Sequence, residues 1–229
     1  MTRREKLRQI TIDEIKSLAR LQMAEGGTAS LSLNAIAKQM GMSGPALYRY
    51  FESREALITA LIVDAYQDLA DALEETAARF AGQPAREGLL QVLLGYRRWA
   101  LDHPVDFQLI FGNPIPGYQA EETVTAPTTG KVFAPILRIL GQAYQQENRP
   151  YPEFLESIPP DQLHIRMPQS LLNFQPSLPE KVVYIGIVSW YHMHGMIMLE
   201  LSNHTQPLVS DPAAFYRFEI ERLINILAL

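Results

Sequence analysis

Apolar residues recur three and four apart along most of this chain, the spacing of a helix that buries one face. Ile12, Ile15, Ala19 and either Gln22 or Met23 form such a stripe, with Leu18 beside it. Thr11-x-x-Glu14 spells a capping box. It predicts a first helix from Arg4 or Thr11 to Glu25, closed by Gly26-Gly27 and preceded by a fraying basic arm. Ser32 can cap a short helix over Leu33–Met40, and Gly41 supplies a tight turn. Ser43 or Gly44 then caps a second short helix, Pro45–Phe51, with Pro45 in the first turn, where a missing N–H does no harm. Ile36, Ala37, Met40, Leu47 and Phe51 are expected to face the first helix in one small core. Ser53 caps a long helix running to about Phe80, which Gly82-Gln83-Pro84 stops.

Beyond it the pattern predicts a helix over 84–102, a break at His103-Pro104 and a short apolar helix over Val105–Phe111. Asn113–Pro127 and Asn148–Pro160 are rich in proline and read as loops around a helix over Thr128–Gln146. A helix interrupted at Pro168 is expected over Asp161–Phe174, then two more over Pro179–Ser202 and Asp211–Leu227. There is no strand-like alternation, phosphate-binding glycine loop or internal repeat. The predicted fold is all-α: an N-terminal three-helix helix-turn-helix domain (1–54), a connecting helix (55–82) and an all-helical body (83–229). Val182 to Leu199 holds no charged residue, which raises the question of a membrane span. Ser189, His192 and His194 inside the run, and the lack of a second such run, favour a buried helix.

Hydrophobic residues make up 47% of 229, enough for a large core. The absence of cysteine excludes disulfides, thiolate metal sites and a cysteine nucleophile. MTRREKLRQI leads into no signal-peptide core, so a cytoplasmic protein is expected. The net charge of −5 is unevenly spread: residues 1–54 hold nine Lys/Arg against five Asp/Glu. A basic head on an acidic body is compatible with a helix-turn-helix DNA reader.

The residues Leu33-x-x-Ile36-Ala37-x-x-Met40-Gly41-x-Ser43-x-x-Ala46-Leu47-Tyr48-x-Tyr50-Phe51-x-Ser53-Arg54-x-x-Leu57 resemble the signature of the tetracycline-repressor-like (TetR) family. Trp190-x-x-x-His194-Gly195, in the penultimate helix, looks like the WHG-type C-terminal domain of one branch of it. The resemblance implies a homodimer that binds a palindromic double-stranded operator and is released by a small-molecule effector. Carried over position by position, it implies that Gly44, Pro45, Ala46 and Arg49 face base edges and that Tyr48, Tyr50 and Arg54 touch phosphates. Ser32 and Ser43 then offer hydroxyls and helix N-termini to phosphate oxygens. Arg49 can pair bidentately with guanine, a contact worth about 1–3 kcal/mol of discrimination.

In that picture the last two helices form the dimer seam, with Gly186, Ser189 and Gly195 allowing close approach, and no membrane is involved. An apolar effector pocket is expected among Tyr96, Trp99, Phe107, Phe111, Leu137, Tyr144, Met167, Trp190 and His194, although such residues taken singly are more often ordinary core. Trp190 and His194, four apart, can cap one cavity. His192-x-His194 is not a metal pair, because residues two apart on a helix point to opposite sides. No cofactor motif and no catalytic triad or carboxylate pair is present, so an enzyme is not expected. A small-molecule carrier or enzyme on this fold is the alternative, and a protein-interaction module a third.

Overall fold

The computed structural model describes residues 2–119, 122–147, 149–165 and 177–229, with 122–127, 146 and 160 by backbone alone. Among them every regular element is helical. In chain order the α-helices are α1 (Arg3–Gly26), α2 (Leu33–Gln39), α3 (Gly44–Tyr48), α4 (Arg54–Arg79), α5 (Ala85–Asp102), α6 (Pro104–Phe111), α7 (Glu122–Gly141), α8 (Glu153–Glu156), α9 (Glu180–Leu201) and α10 (Pro212–Ile226).

The chain forms two compact units: Met1–Tyr66 with His103–Thr125, and Gln67–Asp102 with Ala126–Leu229. This differs from a division at residues 54 and 82. Helix α4 runs from one unit into the other, and α6 with the segment after it belongs to the helix-turn-helix unit. The reason lies in pairings remote in sequence. Arg20 Nε donates to both oxygens of the buried Asp106 carboxylate at 2.9 Å, tying α1 to α6. Tyr118 and Thr59 hydroxyls meet at 2.9 Å, and Tyr66 donates to the Ile110 carbonyl at 3.3 Å. Leu109 and Ile115 sit in the same core as Ile15, Ala19, Ile36, Leu47 and Leu57.

Within the first unit the expected small core forms: Ile36, Ala37, Leu47 and Phe51 are buried with Ile15, Ala19 and Met23, and Met40 packs at its edge. Of the two candidates on α1, Met23 is the buried one. Gln22 instead accepts from the Ser32 backbone N–H at 3.0 Å. Of the two starts expected for α1, the structure takes the one near Arg4, beginning at Arg3, but the capping box is not Thr11 with Glu14. Thr2 and Glu5 form the capping box: the Thr2 N–H donates to Glu5 Oε2 at 2.7 Å and the Glu5 N–H to Thr2 Oγ1 at 3.3 Å. Thr11 lies mid-helix, its hydroxyl donating back to the Leu7 carbonyl at 3.0 Å. The basic arm is therefore helical from Arg3.

In the second unit Tyr216 on α10 is buried and donates to the Leu93 carbonyl on α5 at 3.0 Å. Arg97 and Glu200 pair with both partners largely covered, binding α5 to α9 at 2.5 Å. Asp211 caps α10, accepting from the Ala214 N–H at 3.0 Å. Helix α7 starts at Glu122, inside the stretch expected to be a loop; Pro127, a loop marker by composition, lies within its first two turns. A single turn, α8, interrupts the second proline-rich loop. Of the expected helix over Asp161–Phe174, residues 166 to 174 lie outside the described residues. Helix α9 is long and apolar enough to cross a membrane by length and composition. Val182, Val183, Ile185, Met193 and Ile197 on it are buried within the unit.

Candidate nucleic-acid interface

The turn between α2 and α3 needs Gly41, whose φ of +65° lies in the left-handed region. Ser43 is the N-cap of α3, and its hydroxyl makes no capping bond to the helix. Pro45 follows in the first turn. Leu47 is fully buried and seats the helix. That leaves Pro45, Tyr48 and Arg49 exposed and Gly44, Ala46 and Tyr50 half-buried. Tyr48 is 46% exposed, so of the two tyrosines it is Tyr50 that packs against the small core. Helix α3 is shorter than the expected Pro45–Phe51. The chain nonetheless stays coiled to Phe51, whose N–H donates to the Leu47 carbonyl at 3.2 Å.

The side chains read as DNA contacts divide into two groups. Ser43, Pro45, Tyr48 and Arg49 lie on the open face of α3. Ser32 is occupied as the N-cap of α2, its hydroxyl accepting from the Ala35 N–H at 3.4 Å. Arg54 is also engaged within the unit: Nε donates to the Leu31 carbonyl at 3.0 Å and Nη2 to the Ala29 carbonyl at 3.4 Å. It braces the connector before α2 and holds α4 against it.

The positive charge of the head is redistributed in the same way. Lys16 pairs with Asp64 at 2.7 Å and Arg20 with Asp106, so those two cations are spent on internal packing. Arg3, Arg4, Lys6, Arg8, Lys38 and Arg49 are exposed. Arg3, Arg4 and Arg8 read as part of a fraying arm by composition and are absent from the DNA-contact residues that the sequence suggests. The signal that marks them as ordered is the Thr2-x-x-Glu5 box. Arg8 lies over the Tyr50 ring, 5.1 Å from its centroid, and donates to the Arg49 carbonyl at 3.4 Å.

The residues expected to form an effector pocket fall in both units. Phe107 and Phe111 belong to the helix-turn-helix unit, their rings tilted at 59° with centroids 5.2 Å apart, and Phe111 is edge-on to Tyr66 at 5.8 Å. In the second unit, Tyr96, Trp190 and His194 come together. The buried Tyr96 hydroxyl is 3.1 Å from His194 Nδ1 and accepts from Trp190 Nε1 at 3.4 Å. The Trp190 and His194 rings lie 5.2 Å apart, and Phe133 meets Trp190 edge-on at 5.4 Å. Burial holds the His194 imidazole below its ordinary value, so it is neutral at pH 7. Trp99 donates to Asp68 at 2.7 Å. Leu137 packs against Gly186, where an added Cβ would stand 2.6 Å from its Cδ2. Tyr144 donates to the Leu227 carbonyl and stacks on Tyr151 at 4.9 Å. Burial raises its phenol well above the ordinary value, so it stays protonated. Met167 lies outside the described residues.

Comparison with known proteins bears on this arrangement. Residues 15–61 match the family described as bacterial regulatory proteins, tetR family. Residues 89–223, which include Trp190, His194 and Gly195, match the tetracyclin repressor-like C-terminal domain. The chain is 28% identical over 216 residues to the HTH-type transcriptional regulator Rv1816 of Mycobacterium tuberculosis, covering 94% of this chain and 91% of that one. Its fold is similar to the crystal structure of the regulatory protein SCO4313, with 35% identity, a TM-score of 0.79 and coverage of 98% and 100%. RolR crystallised with the ligand resorcinol shares the fold at 16% identity and a TM-score of 0.51, covering 97% of this chain and 95% of that one. With family matches over both the helix-turn-helix and most of the remaining chain, this protein belongs to the TetR family of helix-turn-helix, DNA-binding transcriptional regulators.

Proposed function

We propose that the protein is a cytoplasmic homodimeric repressor that binds a palindromic operator and releases it on taking up a small apolar effector. The observation that carries this reading is the open face of α3. Its core-facing Leu47 is buried while Tyr48 and Arg49 project outward beside the unused Ser43 hydroxyl. Arg49 reads base edges, where the neighbours Gly44, Pro45 and Ala46 offer little hydrogen bonding. Tyr48 and Ser43 grip phosphates. Arg54 acts one step back, by fixing the connector ahead of α2.

Two such heads need a two-fold axis, and the exposed apolar residues of α9 and α10 supply a face for it. Tyr191, Leu199, Phe215, Phe218 and Ile226 are 46–64% exposed in the single chain. Such a patch on a regulator is the mark of a partner surface. A homodimer presents two such recognition helices to a palindrome whose half-sites lie about one DNA turn apart, or slightly more. The effector reading rests on the Tyr96–Trp190–His194 cluster, which joins apolar rings to a few converging polar atoms. RolR, a fold relative, binds an aromatic ligand.

The test is operator binding after DNA selection. Tyr48→Ala with Arg49→Ala is expected to lower affinity for the selected operator at least tenfold with the fold intact by circular dichroism. Unchanged affinity contradicts the assignment of α3.

A further inference from the structure

We infer that the first two turns of α1 form a second DNA-gripping element, in which Arg3 and Arg4 hold the sugar-phosphate backbone next to the bases read by α3. The inference rests on the DNA-reading role proposed for α3 and extends it to residues outside the helix-turn-helix.

Three features of the structure support it. The first is order. The Thr2–Glu5 box fixes the helix from Arg3, so the arginines project from a rigid rod. At helical spacing Arg4 and Arg8 share a face, about 6 Å apart along the axis. The second is attachment. Arg8 stacks on Tyr50 and donates to the Arg49 carbonyl, locking this rod to the C-terminal end of the recognition helix. Arg8 is a positioning residue; Arg3 and Arg4 lie beyond it, exposed.

The third is the groove the two elements enclose. It has a volume of about 650 Å³ and is lined by Arg3, Arg4, Arg8, Arg49 and Tyr50, with the exposed Leu7 beside them. Four arginines line this groove in a protein whose net charge is −5. Glu5, the acid on the same turn, is turned back onto the Thr2 backbone N–H. Like charges gathered in one groove repel until an anion enters, and their combined field draws polyanions in. Arginine donors suit phosphate oxygens, and an apolar Leu7 suits the deoxyribose between them. Because the groove opens on the flank of α3, the polyanion that fits it is the same duplex that α3 reads. Such a grip adds affinity without reading sequence.

The experiment measures binding of the full-length protein to the selected operator and to a mixed-sequence duplex, between about 50 and 200 mM salt. Arg3→Gln with Arg4→Gln is compared with wild type and with Arg79→Gln, a charge loss in the other unit. Thermal melts establish that each variant is folded. The double variant is expected to weaken both duplexes alike and to flatten the slope of log affinity against log salt by about four for the dimeric complex, near one for each phosphate no longer neutralised, two per protomer. Arg79→Gln leaves the slope unchanged. If wild type binds the operator and the double variant keeps the wild-type slope, the arm makes no phosphate contact and the inference fails alone. If wild type binds neither duplex, the inference fails together with the DNA-reading role on which it rests.

Discussion

Arg54 shows how one side chain can carry a family pattern and still do local work. Its position matches a phosphate contact, yet its Nε and one terminal nitrogen are bonded to the Leu31 and Ala29 carbonyls. Arg54→Gln is expected to destabilise the head by about 1–2 kcal/mol in denaturant unfolding, since the part-buried Leu31 carbonyl and the exposed Ala29 carbonyl lose their charged donor. Its loss of operator affinity then follows from the loosened connector. Gly41 is the simplest backbone test: Gly41→Ala forces a Cβ into the left-handed region at φ +65°, costing about 1–2 kcal/mol. His194 gives a pH dependence with a definite sign. Its folded value is lowered by burial, so below about 6.5 the unfolded chain binds a proton that the folded chain resists. Its contribution is fully present above that pH and is lost as the pH falls through 6.5 toward the folded value. Unfolding free energies measured at about pH 7.5 and about pH 5.5 are expected to differ less in His194→Gln than in wild type. At this scale the sequence marks residue types but not their partners. Nothing local to Arg20 announces Asp106, and nothing local to Arg54 announces Leu31.

Helices are the most legible level, for a physical reason. Caps such as Ser53 and Asp211, glycine turns and a helical apolar period act within a few residues, so they can be read in order along the chain. The misreadings also share a cause. Thr11-Glu14 and Thr2-Glu5 are both capping-box patterns, and only the chain that precedes each decides which begins the helix. Short apolar α6 reads as part of the body because it follows α5 in sequence, while tertiary packing gives it to the head. The two glycines of α9 make opposite predictions. Gly186 faces Leu137 so closely that Gly186→Ala must displace a buried side chain, costing about 1 kcal/mol of stability. An added Cβ at Gly195 meets nothing within 4 Å in the single chain. Gly195→Arg is therefore expected to leave the protomer folded while breaking the proposed dimer, a shift that sedimentation velocity reads directly. A protein that remains dimeric with Gly195→Arg and Tyr191→Glu together contradicts a seam on this face.

At the scale of the whole molecule, an acidic chain can belong to a DNA-binding family because charge is sorted by position. The inner cations Lys16 and Arg20 are neutralised by Asp64 and Asp106, and the exposed ones include the arm and α3. This sorting is half legible: the excess of basic residues before position 55 is plain in the sequence, but which of them face outward is set by the fold. The proposed function couples two heads through one dimer seam, and its parts are separable. Salt dependence tests the grip, sedimentation tests the pairing, and a ligand-induced rise in melting temperature tests the Tyr96–Trp190–His194 cluster as an effector site. The most direct test of the central claim is selection of duplex DNA by the full-length protein, run in parallel with the Tyr48→Ala, Arg49→Ala variant. The expected result is an enriched palindrome with half-sites about one helical turn apart for wild type, lost in the variant. Enrichment of no sequence by wild type, or of the same palindrome by both proteins, would contradict sequence reading by α3.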